Sequence, residues 1–137
     1  MIDINTEHIF SKDKRFDDAI SLFNSQDWYS AHDLLEELWH ESNGMERVTL
    51  QGILQIAVAQ LHLTRGNHKG ATILYGEGLG RLKRLGLPDF DLDINRLCII
   101  VESRLRLLQS EDNPDKVSIP VIYRKSHKDS SKTDLSL

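Results

Sequence analysis

Apolar residues recur along this chain at intervals of three and four, the spacing that aligns side chains on one face of an α-helix, and no stretch shows the strict alternation of a strand. The pattern predicts five helices. The first runs from about Asp13 to Asn24, with Phe16, Ala19, Ile20 and Phe23 on one side. The second opens at Asp27, whose short acidic side chain suits a helix cap, and turns Trp28, Ala31, Leu34, Leu35, Leu38 and Trp39 towards a core before Asn43-Gly44 stops it. From about Met45 to Arg65 apolar side chains take most of the circumference, the mark of a central, mostly buried helix. Gly66-Asn67 then supplies a stop and a cap in succession. The fourth helix therefore follows at once, antiparallel to the third, with Ala71, Leu74, Tyr75, Gly78, Leu82 and Leu85 inward. Leu87-Pro88-Asp89 breaks the chain ahead of a fifth helix, from about Phe90 to Gln109.

These elements predict an all-α fold, a compact bundle of about five helices with antiparallel helical hairpins, spanning residues 1–112. Residues 113–137 read as an extended C-terminal arm and a disordered tail. Val117–Tyr123 is too apolar to be left in water, yet Pro120 prevents a helix there. Folding back over the bundle and docking on another subunit are the two ways to cover it. The polar run from Lys125 to Ser136 reads as a solvated tail.

A further regularity appears when residues 23–38 are laid over 63–78. Phe23 falls on Leu63, Asp27 on Asn67, Ala31 on Ala71 and Leu34 on Leu74. A helix end, a polar cap and a small-then-large apolar stripe thus recur 40 residues apart, as in two stacked helical hairpins of loosely tetratricopeptide-like kind. The fourth helix also carries Gly70, Gly76, Gly78 and Gly80, each costing about 1 kcal/mol relative to alanine in a helix. Close helix contact is the expected reason, with a ligand approaching the backbone as the alternative.

The 137-residue chain carries a net charge of −4, which offers no overall basic field for nucleic acid phosphates. Its one cysteine, Cys98, lies in an apolar run and reads as a small buried hydrophobe. No apolar run reaches bilayer length and no leader pattern is visible, so no membrane association is expected and the cytoplasm is the default compartment.

Core building leaves a set of polar residues unexplained. On the second helix His32 and Glu36 lie one turn apart beside Trp39, while Asp33, Glu37 and His40 point further round. Glu36 is thus expected to be mostly buried and hydrogen-bonded, and Glu37 exposed. On the third helix Gln51, Gln55 and His62 fall within about 40° of one another, a polar stripe on an otherwise apolar helix, with Gln60 opposite. Convergence of His32, Glu36, Trp39, Gln51, Gln55 and His62 admits three readings. It is a hydrogen-bond network that fixes helix register, a site for a small polar ligand or peptide end between aromatic walls, or a divalent-metal or acid/base site on His32, Glu36 and His62. No HExxH, P-loop or dinucleotide fingerprint supports catalysis, and no cofactor is predicted. A binding module for a partner protein or a small polar ligand is the leading expectation. A metal-dependent enzyme is the alternative, and a homo-oligomer is a further possible partnership.

Ala31-His32-Asp33-Leu34-Leu35-Glu36-Glu37-Leu38-Trp39, then Leu50-Gln51-Gly52-Ile53-Leu54-Gln55-Ile56-Ala57, His62, and Arg65-Gly66-Asn67 with Gly70-Ala71 follow one another in order. In that combination, over roughly residues 20–85, the chain resembles the numbered family 309 of domains of unknown function. The resemblance implies a compact helical bundle with tetratricopeptide-like hairpins and attaches no activity to it. Carried over residue by residue, its motif positions are His32, Glu36, Trp39, Gln51, Gly52, Gln55, His62, Gly66, Asn67, Gly70 and Ala71.

Overall fold

Four of the five helices begin where a short acidic or amide side chain can accept from the first free backbone N–H groups. The computed structural model describes residues 13–126. Helix α1, Lys14–Asn24, is capped by Asp13, which accepts from Arg15 N. Asp27 caps α2, Trp28–Glu41, by accepting from Ser30 N. Helix α3, Gly44–Thr64, starts without a side-chain cap, whereas Asn67 caps α4, His68–Leu82, and Asp93 caps α5, Ile94–Gln109. A single 3-10 turn, Pro114–Lys116, follows. Among the described residues there is no strand, only one isolated bridge between Leu92 and Arg124.

Two boundaries differ from the pattern. Helix α4 ends at Leu82 rather than Leu85, which is almost fully exposed. Helix α5 starts at Ile94 rather than Phe90, because Phe90 and Asp91 both take left-handed backbone angles, φ 52° and 65°, that no helix accepts. Phe90 instead turns inward, its ring 5.3 Å from that of Phe16.

The helices pack in succession: α1 on α2, α2 on α3, α3 on α4 and α4 on α5. The shared core includes Phe16, Phe23, Leu35, Leu38, Leu50, Ile53, Ile56, Tyr75, Leu97 and Val101. Cys98 is buried within it, and burial pushes its thiol pKa up, so it serves as a small hydrophobe. Gly52 and Gly78 set the α3–α4 spacing. A Cβ on Gly78 would lie 3.0 Å from the Gly52 carbonyl oxygen, and one on Gly52 would lie 2.7 Å from the Leu82 side chain. Close contact thus accounts for Gly78 but not for Gly76 or Gly80, which face open space.

The arm folds back on the bundle. Pro120 and Ile122 are buried, and the Asn24 carboxamide bonds both the N–H and the C=O of Ile122. The tail beyond Ser126 lies outside the described residues.

Candidate functional site

Helix α2 presents two adjacent faces about 90° apart, given about 100° per residue. Trp28, Ala31, Leu35 and Leu38 form the core face and are buried. Tyr29, His32, Glu36 and Trp39 form the other, which lies along the edge of the bundle. Tyr29 is 60% exposed and its ring centroid is 6.5 Å from that of His32. Trp39 is half-buried beneath Arg47 of α3, whose guanidinium carbon sits 3.8 Å from the indole centroid, within cation–π range.

Three polar atoms on this face are shut off from solvent and have no hydrogen-bond partner among the described residues: His32 Nδ1, Trp39 Nε1 and Arg47 Nε. Asp33 Oδ1 lies 3.4 Å from His32 Nδ1 without making a hydrogen bond to it. Buried polar groups are satisfied in the great majority of cases, so three such atoms within one surface are a departure that the fold does not account for.

Glu36 is not the buried carboxylate expected. Its side chain is 49% exposed, against 57% for Glu37, and its only close charged partner among the described residues is His32 Nε2 at 3.9 Å. Glu37 is the better bonded of the two. Its Oε1 accepts from Arg15 at 3.0 Å, in a cluster where Arg15 also binds Asp13 and Glu41. The reason is rotational: the face shared by His32 and Glu36 looks along the bundle edge, while Glu37 points back towards α1.

The polar stripe of α3 faces α4 and not α2. Gln55 is buried, donating from Nε2 to Glu77 at 2.9 Å and accepting on Oε1 from Arg81 at 3.1 Å. His62 Nδ1 lies 3.1 Å from Asn67 Nδ2 at the α3–α4 joint. A Cβ on Gly70 would come within 2.7 Å of that same amide nitrogen, so Gly70 makes room for the His62–Asn67 pair. Ala71 packs in the core one turn beyond Asn67. Gln51 is half-buried one turn before Gln55. His32 and Glu36 therefore share one face of α2 with Trp39, which Arg47 covers, and Gln55 and His62 belong to the α3–α4 contact. The trio His32, Glu36 and His62 is not assembled, and no three His, Cys, Asp or Glu side chains gather as metal ligands among the described residues.

A buried polar cluster centres on Arg104, which the sequence pattern does not single out. Arg104 is 1% exposed. Its Nε donates to Tyr75 Oη at 2.8 Å, Tyr75 donates in turn to Gln60 Oε1, and Nη1 donates to the carbonyls of Pro114 and Val117 at 3.1 and 2.8 Å. Burial raises the Tyr75 pKa, against the pull of the Arg104 cation beside it. The sequence did carry a signal: Leu97, Val101, Arg104 and Leu108 share one core-facing stripe, and a charge in that phase demands a buried partner.

With this geometry in view, the helical hairpins bearing His32, Trp39, Gln55, His62 and the Gly66-Asn67 joint can be compared with known proteins. Residues 16–74 match the family described as "Domain of unknown function (DUF309)". The matched segment takes in α1 from Phe16 onward, α2, α3 and the first half of α4, and with them the edge face at His32, Trp39 and Arg47. Arg104 and the arm lie beyond it. The uncharacterized protein YpuF of Bacillus subtilis (strain 168) is 26% identical over 108 residues, which is 77% of this chain and 62% of that protein. The chain therefore spans less than two thirds of that relative's length. No solved structure matches the chain. No helix among the described residues is long and apolar enough to cross a membrane.

Proposed function

We propose that the chain is a binding module for a partner protein and that its recognition face is the edge formed by Tyr29, His32, Trp39 and Arg47. The observation that carries this reading is the set of three unpartnered polar atoms on that one surface, His32 Nδ1, Trp39 Nε1 and Arg47 Nε. Leaving a buried donor or acceptor unsatisfied costs about 1–3 kcal/mol, a burden relieved when docking turns these side chains outward to bond with the partner. The residue types support the reading too. Tyr, Trp and Arg dominate the energetics of protein–protein contacts, and here they are flanked by the charged side chains Asp33 and Glu36, which suit a solvated rim.

A photo-crosslinking amino acid at position 29 tests it in cells. The expected result is a discrete adduct that disappears when Trp39→Ala or Arg47→Ala is added and persists with Gln109→Ala on the exposed end of α5. Diffuse labelling, or an adduct indifferent to Trp39 and Arg47, would contradict the proposal.

A further inference from the structure

Charge is spread unevenly along this chain. Residues 44–88, which make the α3–α4 hairpin and the turn after it, hold six lysines and arginines against two glutamates, although the whole chain carries −4. Of those two glutamates, Glu46 is buried and Glu77 accepts from Gln55. Most cations outside the hairpin lie on carboxylates, as Arg15, Arg104, Arg124 and Lys125 do, and within it Lys83 pairs with Glu102. Arg47, Arg65, Arg81 and Arg84 have no carboxylate partner among the described residues. Arg47 lies over the Trp39 ring, and Arg81 donates to the neutral Gln55 Oε1. These four share one side of the hairpin. Given about 100° per residue, Arg47, Gln51, Leu54, Val58 and Arg65 fall within about 60° of one another on α3, and none of them is buried. Leu74, Glu77 and Arg81 fall within a similar arc of α4, and the hydrogen bonds of Gln55 with Glu77 and Arg81 set the two arcs side by side. Arg84 follows one turn after Arg81 and is exposed.

We infer that this strip docks an acidic segment of a partner protein, one with carboxylates on both sides of a short apolar stretch. The order of side chains along the strip sets that pattern. Arg47, Arg81 and Arg84 lie towards one end, the half-buried Leu54, Val58 and Leu74 in the middle, and Arg65 at the other end. Arginines without a carboxylate of their own complement an acidic partner, and each guanidinium can take a carboxylate with two parallel hydrogen bonds. From Arg47 to Arg65 the helix rises about 27 Å, a distance that about eight extended residues span. Nucleic acid fits less well. A single strand carries a phosphate about every 3.4 Å, gains nothing from the apolar middle, and is repelled by a chain of net charge −4. The strip adjoins the edge face only at Arg47, and the inference does not rest on the reading of that face.

The test uses the full chain and a fluorescein-labelled peptide of about ten residues, with two glutamates at each end and leucine and valine between, followed by fluorescence anisotropy in about 50 mM salt. Saturable binding that weakens as salt is raised is the expected result. Arg65→Glu with Arg84→Glu should weaken it at least about tenfold, while Arg65→Lys with Arg84→Lys should keep it within about threefold. Lys14→Glu with Lys116→Glu changes the net charge by the same amount on other faces and should leave binding within about twofold. If the double glutamate variant loses its helical circular dichroism, Arg65→Gln with Arg84→Gln takes its place, and a clear loss of affinity is again required. Failure of the peptide to bind, an equal loss in the Lys14 and Lys116 control, or tighter binding of an oligothymidylate of equal charge overturns the inference. Trp39→Ala should leave peptide affinity within about threefold. An adduct at position 29 that depends on Trp39, in a chain that does not bind the peptide, therefore contradicts this inference and leaves the proposed function standing.

Discussion

The joint between α1 and α2 and the joint between α3 and α4 have the same backbone, built from different residues. Asp27 N donates to Leu22 O and Asn67 N to His62 O, both at 2.9 Å, and Gln26 N and Gly66 N donate to Phe23 O and Leu63 O. Gln26 and Gly66 hold left-handed angles of 66° and 75°, and Asp27 and Asn67 each cap the following helix. The 40-residue echo is therefore a true repeat of local structure. The decoration differs. The outer side of α2 carries Asp33, Glu36, Glu37 and His40, whereas the equivalent positions of α4 are Ile73, Gly76, Glu77 and Gly80. The joint is under backbone constraint and so repeats. The outward positions are free of it and have diverged.

Swapping equivalent residues tests this most severely. Leu38 and Gly78 occupy matching buried positions, but α2 fills its contact with a side chain while α4 approaches the Gly52 backbone. Leu38→Gly should leave a cavity and lower stability by about 3–5 kcal/mol, and Gly78→Leu should overpack and lower it by about 2–3 kcal/mol, both in urea unfolding. Tolerance of either within about 1 kcal/mol would show that the hairpins pack alike.

The joints should respond in opposite directions. Gly66→Val forces a β-branched residue into the left-handed region and should cost about 2–3 kcal/mol. Gln26→Gly relieves that same strain and, after the greater entropy lost by glycine on folding, should gain about 0.5–1 kcal/mol. Thermal melts of the pair decide it, and equal losses would end the equivalence.

Smaller still, Gly76→Ala and Gly80→Ala meet nothing in the fold and should each stabilise by about 0.5–1 kcal/mol. A loss instead would mean that these glycines serve a contact within the chain.

The first hairpin alone carries the Arg15 cluster, whose hydrogen bonds hold the Asp13 and Glu41 carboxyls below their ordinary range. A lowered folded-state pKa contributes stability above the unfolded value, about 4, and loses it as pH falls through the folded value. The Tm advantage of the native chain over Arg15→Met should therefore be present at pH 7 and fade on acidification below about pH 4. The effect should be modest, because the carboxylates lie near water.

Helix positions, the joints and the inward stripes were legible in the sequence because periodicity and capping are local. Register between helices was not. Gln51, Gln55 and His62 do share a face of α3, but nothing in one helix says which neighbour that face meets, and it meets α4. The burial of Glu36 failed for the same reason: its angle on α2 placed it beside Trp39, and only the position of α3 decides that this side is an edge. Arg104 was missed because a charge is ordinarily assigned to solvent, although its phase with Leu97, Val101 and Leu108 pointed inward.

The central claim is that His32, Trp39 and Arg47 are kept for a partner and not for the fold. The most direct measurement is the stability of Arg47→Met, which removes the unpartnered Nε while leaving an aliphatic side chain over Trp39. If the claim holds, Tm stays equal to that of the native chain or rises, because the lost cation–π contact of about 0.5–1 kcal/mol is offset by removal of an unsatisfied donor. A fall equivalent to about 3 kcal/mol would make Arg47 a structural residue and contradict the account.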